Sequence, residues 1–193
     1  MTKNDVKEIL AECEALLSGH FLLTSGLHSN AYIQCAKLLR FPDKSEKVLK
    51  TVVEQLQGLE IDLVCGPAVG GIIVSYELGR QLGLESIFTE RENGEMTLRR
   101  GFNIKKGSKV LITEDVVTTA KSTLETVAVI ESYGAKVVGL ACIADRRKDT
   151  GSLAFPVFSA IKLDIDNYDP TDCPLCMENI IELTKPGSRN LTK

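Results

Sequence analysis

Val110-Leu111-Ile112-Thr113-Glu114-Asp115-Val116-Val117-Thr118-Thr119-Ala120-Lys121-Ser122 is an apolar run that ends in two acids and turns at once towards a helix. The run through Thr113 reads as a buried strand. A polar turn follows it, then a helix from about Ser122 to Tyr133, with Gly134 as its cap. In open α/β sheets, ligands bind beyond the carboxyl ends of strands. Amides at a helix N-terminus suit a phosphate, and the hydroxyls of Thr118, Thr119 and Ser122 add donors. Two carboxylates beside such a cradle repel a phosphate taken alone. They suit ribose hydroxyls or hydrated Mg²⁺, and a phosphorylated ribose brings both kinds of partner. The plainer alternative makes Glu114-Asp115 a helix cap and the turn an ordinary one. On these residues alone the two readings weigh the same.

Outward from this stretch, strands and helices alternate. Further strands are expected at Ile61–Cys65, Ser86–Thr89, Val137–Ala144 and Phe155–Leu163, the last at a sheet edge. Helices are expected at Lys3–Leu17, Lys44–Gln57 and Ile72–Leu82. Ser18-Gly19 ends the first of these, and His20 to Ala36 reads as loops and short strands. The alternation predicts an α/β fold: a central, mostly parallel sheet flanked by helices on both faces. A chain of 193 residues suits one domain. The polar stretch Lys185 to Lys193 is expected to fray.

Composition excludes several classes. Hydrophobic residues make up 44% of the chain, enough for a real core, and the net charge of −3 argues against a nucleic-acid binder. No apolar run approaches the ~20 residues of a membrane span. Met1 to Leu10 alternates charged and apolar residues, unlike a secretory signal. Cys65 and Cys142 sit in apolar strand runs, which suits a reducing cytoplasm rather than a disulfide scaffold. Two histidines, His20 and His28, are too few for a His-rich metal site or a Ser-His-Asp triad.

Three other segments carry chemistry. Gly66-Pro67-Ala68-Val69-Gly70-Gly71 follows a strand, and its small residues let amides approach an anion, or simply make a tight turn. Arg91 to Lys109 holds six basic residues against two acidic ones, with Gly94 and Gly101 to flex. It reads as a loop that closes over a polyanion, or as a solvated basic hairpin. Arg146, after the Val137–Ala144 strand, can pair with a carboxylate in a planar fork. A surface salt bridge is the plain reading of Arg147 and Lys148. Cys173-Pro174-Leu175-Cys176 supplies two thiols where a structural zinc wants four ligands. With no second Cys pair and no neighbouring histidine, inert thiols are expected, and a zinc shared across a dimer is the alternative.

The Val110–Ser122 stretch resembles the signature by which type I phosphoribosyltransferases bind phosphoribosyl pyrophosphate (PRPP): an apolar strand, two acids, two apolar residues, then Thr-Thr-Gly-x-Ser/Thr. Other segments resemble the orotate phosphoribosyltransferases in particular. Thr24-Ser25-Gly26-Leu27-His28-Ser29-Asn30-Ala31-Tyr32-Ile33-Gln34-Cys35-Ala36 is similar to their N-terminal hood. Glu90-Arg91-Glu92-Asn93-Gly94-Glu95-Met96-Thr97-Leu98-Arg99-Arg100-Gly101-Phe102 is similar to the short-loop form of their mobile loop. The likeness covers about residues 18–180.

The resemblance implies the type I phosphoribosyltransferase fold, with a hood at about 18–40, a mobile loop at about 91–105 and a C-terminal tail at about 170–193. It implies transfer of ribose 5-phosphate from PRPP to orotate, giving orotidine 5′-monophosphate and pyrophosphate on the way to UMP. Glu114 and Asp115 would hold the ribose, and Val116, Val117, Thr118, Thr119, Ala120, Lys121 and Ser122 the 5′-phosphate. Val69 and Gly70 would lie under the pyrophosphate. Tyr32, Ile33, Thr118 and Arg146 would meet orotate. Arg91, Arg99 and Arg100 would act in turnover with Asp115. Mg²⁺ would be held mainly through PRPP, with no protein metal site. A cytoplasmic homodimer sharing the mobile loop across subunits is implied as well. The chain departs from the pattern at Ala120, where glycine is usual, at Thr24, where some members have a PRPP-contacting lysine, and in lacking a loop histidine. A phosphoribosyltransferase for another base, or a PRPP-sensing regulator without catalysis, are the rival expectations.

Overall fold

A computed structural model describes residues 1–23, 25–148, 151 and 153–186. Thr24 lies outside the described residues, as do all but the first two residues of the stretch expected to fray, Lys185 to Lys193. Two sheets organise the chain.

The larger sheet has six strands, β3 (Leu63–Pro67), β4 (Glu85–Glu92), β5 (Glu95–Leu98), β6 (Lys109–Val117), β7 (Lys136–Asp145) and β8 (Val157–Lys162), in the order β5-β4-β3-β6-β7-β8. All neighbours run parallel except the β4–β5 hairpin. The strand alternation of side chains divides the core in two. Val64, Leu111, Ala141 and Ile143 pack on one face, with α1 (Lys3–Glu12), α3 (Pro42–Gln55) and α4 (Gly70–Leu82). Leu63, Cys65, Val110, Ile112, Leu140 and Cys142 pack on the other, with Ile130 of α5 (Lys121–Ser132). Apolar residues on both faces of β3, β6 and β7 are what a covered parallel sheet requires. β8 is an edge strand, as its sequence predicts.

From β3 the chain winds to β4 on one side; from β6 it winds to β7 on the other. The reversal between β3 and β6 opens a crevice at their carboxyl ends, the place where α/β sheets bind ligands.

Two elements depart from the expected bounds. The first helix is capped by Thr2 and Asp5, each side chain accepting the other's backbone N–H, but it stops at Glu12 rather than Leu17. Glu14 takes a positive φ of 52°, and Leu16–Leu22 becomes strand β1. Cys13 and Leu16 pack in the same core as Val6 and Leu10, so apolar spacing carried through the break. Pairing of Leu16 and Leu17 with Ile33 and Tyr32 of β2 (His28–Ile33) overrides it. β6 also runs on to Val117, paired with Asp145, so Glu114 and Asp115 belong to the strand and not to a loop.

The smaller sheet is the hood. Its order is β10-β1-β2-β9, with β9 (Asn167–Tyr168) and β10 (Leu183–Thr184) supplied by the C-terminal segment. A short helix α2 (Ala36–Leu39) leads from the hood into α3.

Candidate active site

Because Glu114 and Asp115 are consecutive residues of a strand, they face opposite sides of the sheet. Asp115 shares the side of Leu111 and Thr113 and lies against the turn after β3. A Cβ at Gly70 would come within 2.4 Å of the Asp115 carboxyl, and one at Gly66 within 2.2 Å of the Gly71 carbonyl. These glycines let the two loops close on one another. The Thr113 hydroxyl donates to the Gly71 carbonyl at 3.1 Å, and the Val116 amide donates to the Asp115 carboxylate at 2.8 Å. The Ala68–Val69 peptide is cis, and Val69 is exposed at the mouth of α4.

Glu114 faces the other way, into a cavity of about 90 Å³ lined by every residue from Val116 to Thr123. That volume holds on the order of three waters, the scale of one phosphate group. The first amides of α5 have no intrahelical acceptors and open towards it. Thr123 lines the same cavity, and its buried hydroxyl has no hydrogen-bond partner among the described residues. Thr123 lies one residue beyond the cradle expected from sequence, because a threonine inside a helix looks like core. A roomier cavity of about 670 Å³ lies between α1, α3 and β8. It takes in the start of α1 at Thr2 and Lys3, but there the Thr2 and Asp5 side chains already accept the free amides.

Burial, and then the neighbouring Asp115 carboxylate, push Glu114 from the usual carboxylate value near 4.5 up to about 8. Burial also raises Asp115, against the opposing pull of the Val116 amide. The Glu114 shift fixes the sign of a pH effect on stability. Between 4.5 and about 8 the folded protein keeps a proton on Glu114 that the unfolded chain has released. Stability therefore falls as pH rises across that window. Chemical denaturation should show a loss of order 2–4 kcal/mol between pH 5 and 8, much reduced in Glu114→Gln. An identical slope in the variant would assign the effect elsewhere.

Ala120 occupies the left-handed region at φ 57°, ψ 19°, at the position where the signature it resembles has glycine. That conformation costs an alanine about 1 kcal/mol. Its methyl, however, is buried in the core cluster of Val117 and Ile130, where a methyl group stabilises by ~0.8 kcal/mol. The two terms nearly cancel. Ala120→Gly should leave stability within about 0.5 kcal/mol of wild type by urea denaturation. A gain well above that would mean that the buried methyl contributes little.

Arg146 lies across the crevice. Its amide donates to the Val117 carbonyl at 2.8 Å, tying the end of β7 to the start of the turn after β6. Its guanidinium is half-buried beside Tyr32, burial lowers its pKa, and its Nε has no hydrogen-bond partner among the described residues. Arg147 is not the surface residue expected. It is buried and forks onto Asp145 through Nε and Nη2, both at 2.9 Å, because its backbone turns back over the end of β7. Lys148 is exposed, as expected. Tyr32 packs against Phe21 in the hood, whereas Ile33 is sunk in the core. Thr118 and Thr119 are exposed on the turn.

The basic segment forms the β4–β5 hairpin and the turn after it, with Asn93-Gly94 at the tip. Arg91 pairs with Glu125 of α5, Arg99 with Glu92 at 3.1 Å, and Arg100 with Glu90 at 2.7 Å. All three arginines are thus engaged by carboxylates of this chain.

The C-terminal thiols require a correction. Cys173 and Cys176 were expected to be inert for want of a histidine, yet both lie against His20, 153 and 156 residues away in sequence. The pairing of β9 and β10 with the hood hairpin brings them there, and no local motif announces it.

The phosphoribosyl transferase domain family matches residues 36–175. The chain is 47% identical over 191 residues to the orotate phosphoribosyltransferase of Caldanaerobacter subterraneus subsp. tengcongensis, covering 99% of this chain and 100% of the relative. It superposes on the crystal structure of orotate phosphoribosyltransferase from Aeropyrum pernix with a TM-score of 0.69 and 25% identity, over 82% of this chain and 93% of the other. The Mycobacterium tuberculosis orotate phosphoribosyltransferase in complex with inorganic phosphate gives a TM-score of 0.66 at 20% identity, over 83% and 95% of the two chains.

Proposed function

The chain belongs to the phosphoribosyl transferase family, and on that footing we propose that it transfers the ribose 5-phosphate of PRPP to orotate, releasing orotidine 5′-monophosphate and pyrophosphate. One observation carries the reading. Beyond the carboxyl ends of β6 and β7 lie Asp115 against Gly70, a phosphate-sized cradle from Val116 to Thr123, and Arg146, whose Nε has no hydrogen-bond partner among the described residues, and this neighbourhood supports the reading.

The residues divide the work. The cradle takes the 5′-phosphate, and Glu114 and Asp115 accept hydrogen bonds from the ribose hydroxyls. Val69 and Gly70 present backbone to the pyrophosphate. Arg146 grips the orotate carboxylate, with Tyr32 and Thr118 bounding the ring. Orotate N1 then attacks C1′ as pyrophosphate departs. The nucleophile belongs to the substrate, so the protein positions the reactants and meets developing charge. Mg²⁺ would be held mainly through PRPP, with the hard Asp115 carboxylate oxygens suited to it, and would neutralise charge on the leaving pyrophosphate. Arg91, Arg99 and Arg100 exchange their carboxylate partners for pyrophosphate when the hairpin closes.

Val69, Ile73 and Tyr76 form an exposed apolar stripe at helical spacing along α4, which supports a homodimer. Cytoplasmic location is supported by the free cysteines, four of them buried in the two cores, including Cys65, whose thiol burial pushes up to about 12. No helix among the described residues is long and apolar enough to cross a membrane.

The test follows the loss of orotate absorbance when PRPP and Mg²⁺ are added, beside a panel of bases. Orotate is consumed, and adenine and guanine are not. Turnover of a purine without orotate, or PRPP binding without turnover of any base, would overturn the proposal.

A further inference from the structure

His20 lies in an irregularity of β1 between Ser18 and Phe21, and bulges of this kind re-aim a side chain. His28 opens β2. The two rings meet edge-on with centroids 4.9 Å apart, and His20 Nε2 is 3.0 Å from His28 Nδ1. Facing them is α6 (Pro174–Glu178), whose first turn sends the amides of Cys176 and Met177 back to the Cys173 carbonyl. That turn sets both thiols on one side. Cys173 Sγ is 3.5 Å from His20 Nε2, and Cys176 Sγ is 3.2 Å from His28 Nδ1 and 3.7 Å from His20 Nε2. One donor atom from each residue falls within 4.8 Å of all the others.

These spacings are those of one coordination sphere. Zinc bonds of ~2.0–2.1 Å to nitrogen and ~2.3 Å to sulfur, set tetrahedrally, put N···N near ~3.3 Å, N···S near ~3.5 Å and S···S near ~3.8 Å. The ring nitrogens also sort themselves. His20 Nδ1 lies 3.2 Å from the Ile181 carbonyl, which calls for a proton there and leaves Nε2 as a lone pair aimed at the cluster. A ligating histidine is characteristically held in this way through its outer nitrogen. His20, His28 and Cys173 are buried, and Cys176 forms the exposed rim.

We propose that His20, His28, Cys173 and Cys176 form a structural zinc site that fastens the C-terminal segment to the hood. Two imidazoles and two thiolates, with no carboxylate, select zinc over magnesium or calcium. Four protein ligands leave no open position, so the ion holds structure and takes no part in turnover. It joins the hood hairpin to the helix between β9 and β10, and its binding energy becomes folding energy of the hood. Binding replaces two thiol protons, which leave to solvent.

The test uses full-length protein from zinc-supplemented medium, purified without chelator. One zinc per chain should survive dialysis and be released as the thiols are titrated with a mercurial. Loading with Co²⁺ instead should give the intense visible bands of a tetrahedral ion, with thiolate charge transfer. In Cys176→Ser, which alters only the exposed rim, zinc retention should fall at least about tenfold. Zinc below about a tenth of an equivalent, with Co²⁺ bound only as a pale octahedral ion, would overturn the proposal. So would half an equivalent bridging two chains, or a Cys173–Cys176 disulfide in fresh protein. Should the variant fail to fold, the wild-type cobalt spectrum decides alone.

Discussion

Asp115→Asn lowers kcat/KM for PRPP by roughly 10²–10³-fold while the protein stays folded. The carboxylate is held at 2.8 Å by the Val116 amide and pressed against Gly70, so it cannot swing away from its place in the crevice. Replacing one oxygen by an amide N–H turns an acceptor for a ribose hydroxyl into a donor. Hydrogen bonds to charged groups are worth about 1.5–3 kcal/mol each, and Asp115 offers up to two. A loss of 3–4 kcal/mol gives the stated range, at ~1.4 kcal/mol per tenfold. The shape is conserved, so thermal unfolding should barely change. Steady-state kinetics with varied PRPP, beside a melting curve, makes the check. Turnover near wild type would remove Asp115 from the ribose site.

Arg146→Gln acts on the other substrate. The Arg146 guanidinium, half-buried beside Tyr32, has an Nε with no hydrogen-bond partner among the described residues; a carboxylate would supply one, and orotate carries one. Truncating one partner of a buried charge pair costs about 2–5 kcal/mol. The orotate KM should therefore rise roughly 30- to 4000-fold, while the KM for PRPP moves less than about twofold. Uracil lacks the carboxylate, so the preference for orotate over uracil should shrink by a similar factor. Equal losses for both substrates would indicate a collapsed crevice rather than a lost contact.

Much of this was readable in the residues, and the exceptions have physical causes. The apolar runs of β3, β6 and β7 are buried on both faces, so composition alone marks them as parallel strands. Glycine at 66, 70 and 71 and the acid pair at 114 and 115 are chemically conspicuous, and the candidate site is built on them. The end of the first helix was not readable, because Cys13 and Leu16 serve one core on either side of the break. Arg147 reads like a surface charge until the turn after β7 folds it onto Asp145. The histidine–thiol cluster depends on pairings across some 150 residues, such as His20 with Leu183. Local sequence carries no trace of such contacts.

The hood has a temporal consequence. Its two central strands leave the ribosome early, but its flanking strands come from residues 167–168 and 183–184. Until those emerge, β1 and β2 present bare edges that invite pairing with another nascent chain. The large sheet can be complete while the cover over its crevice is still half-built. Translation pauses or premature stops near the 3′ end of the message should then leave a soundly folded base that associates wrongly through an unfinished roof.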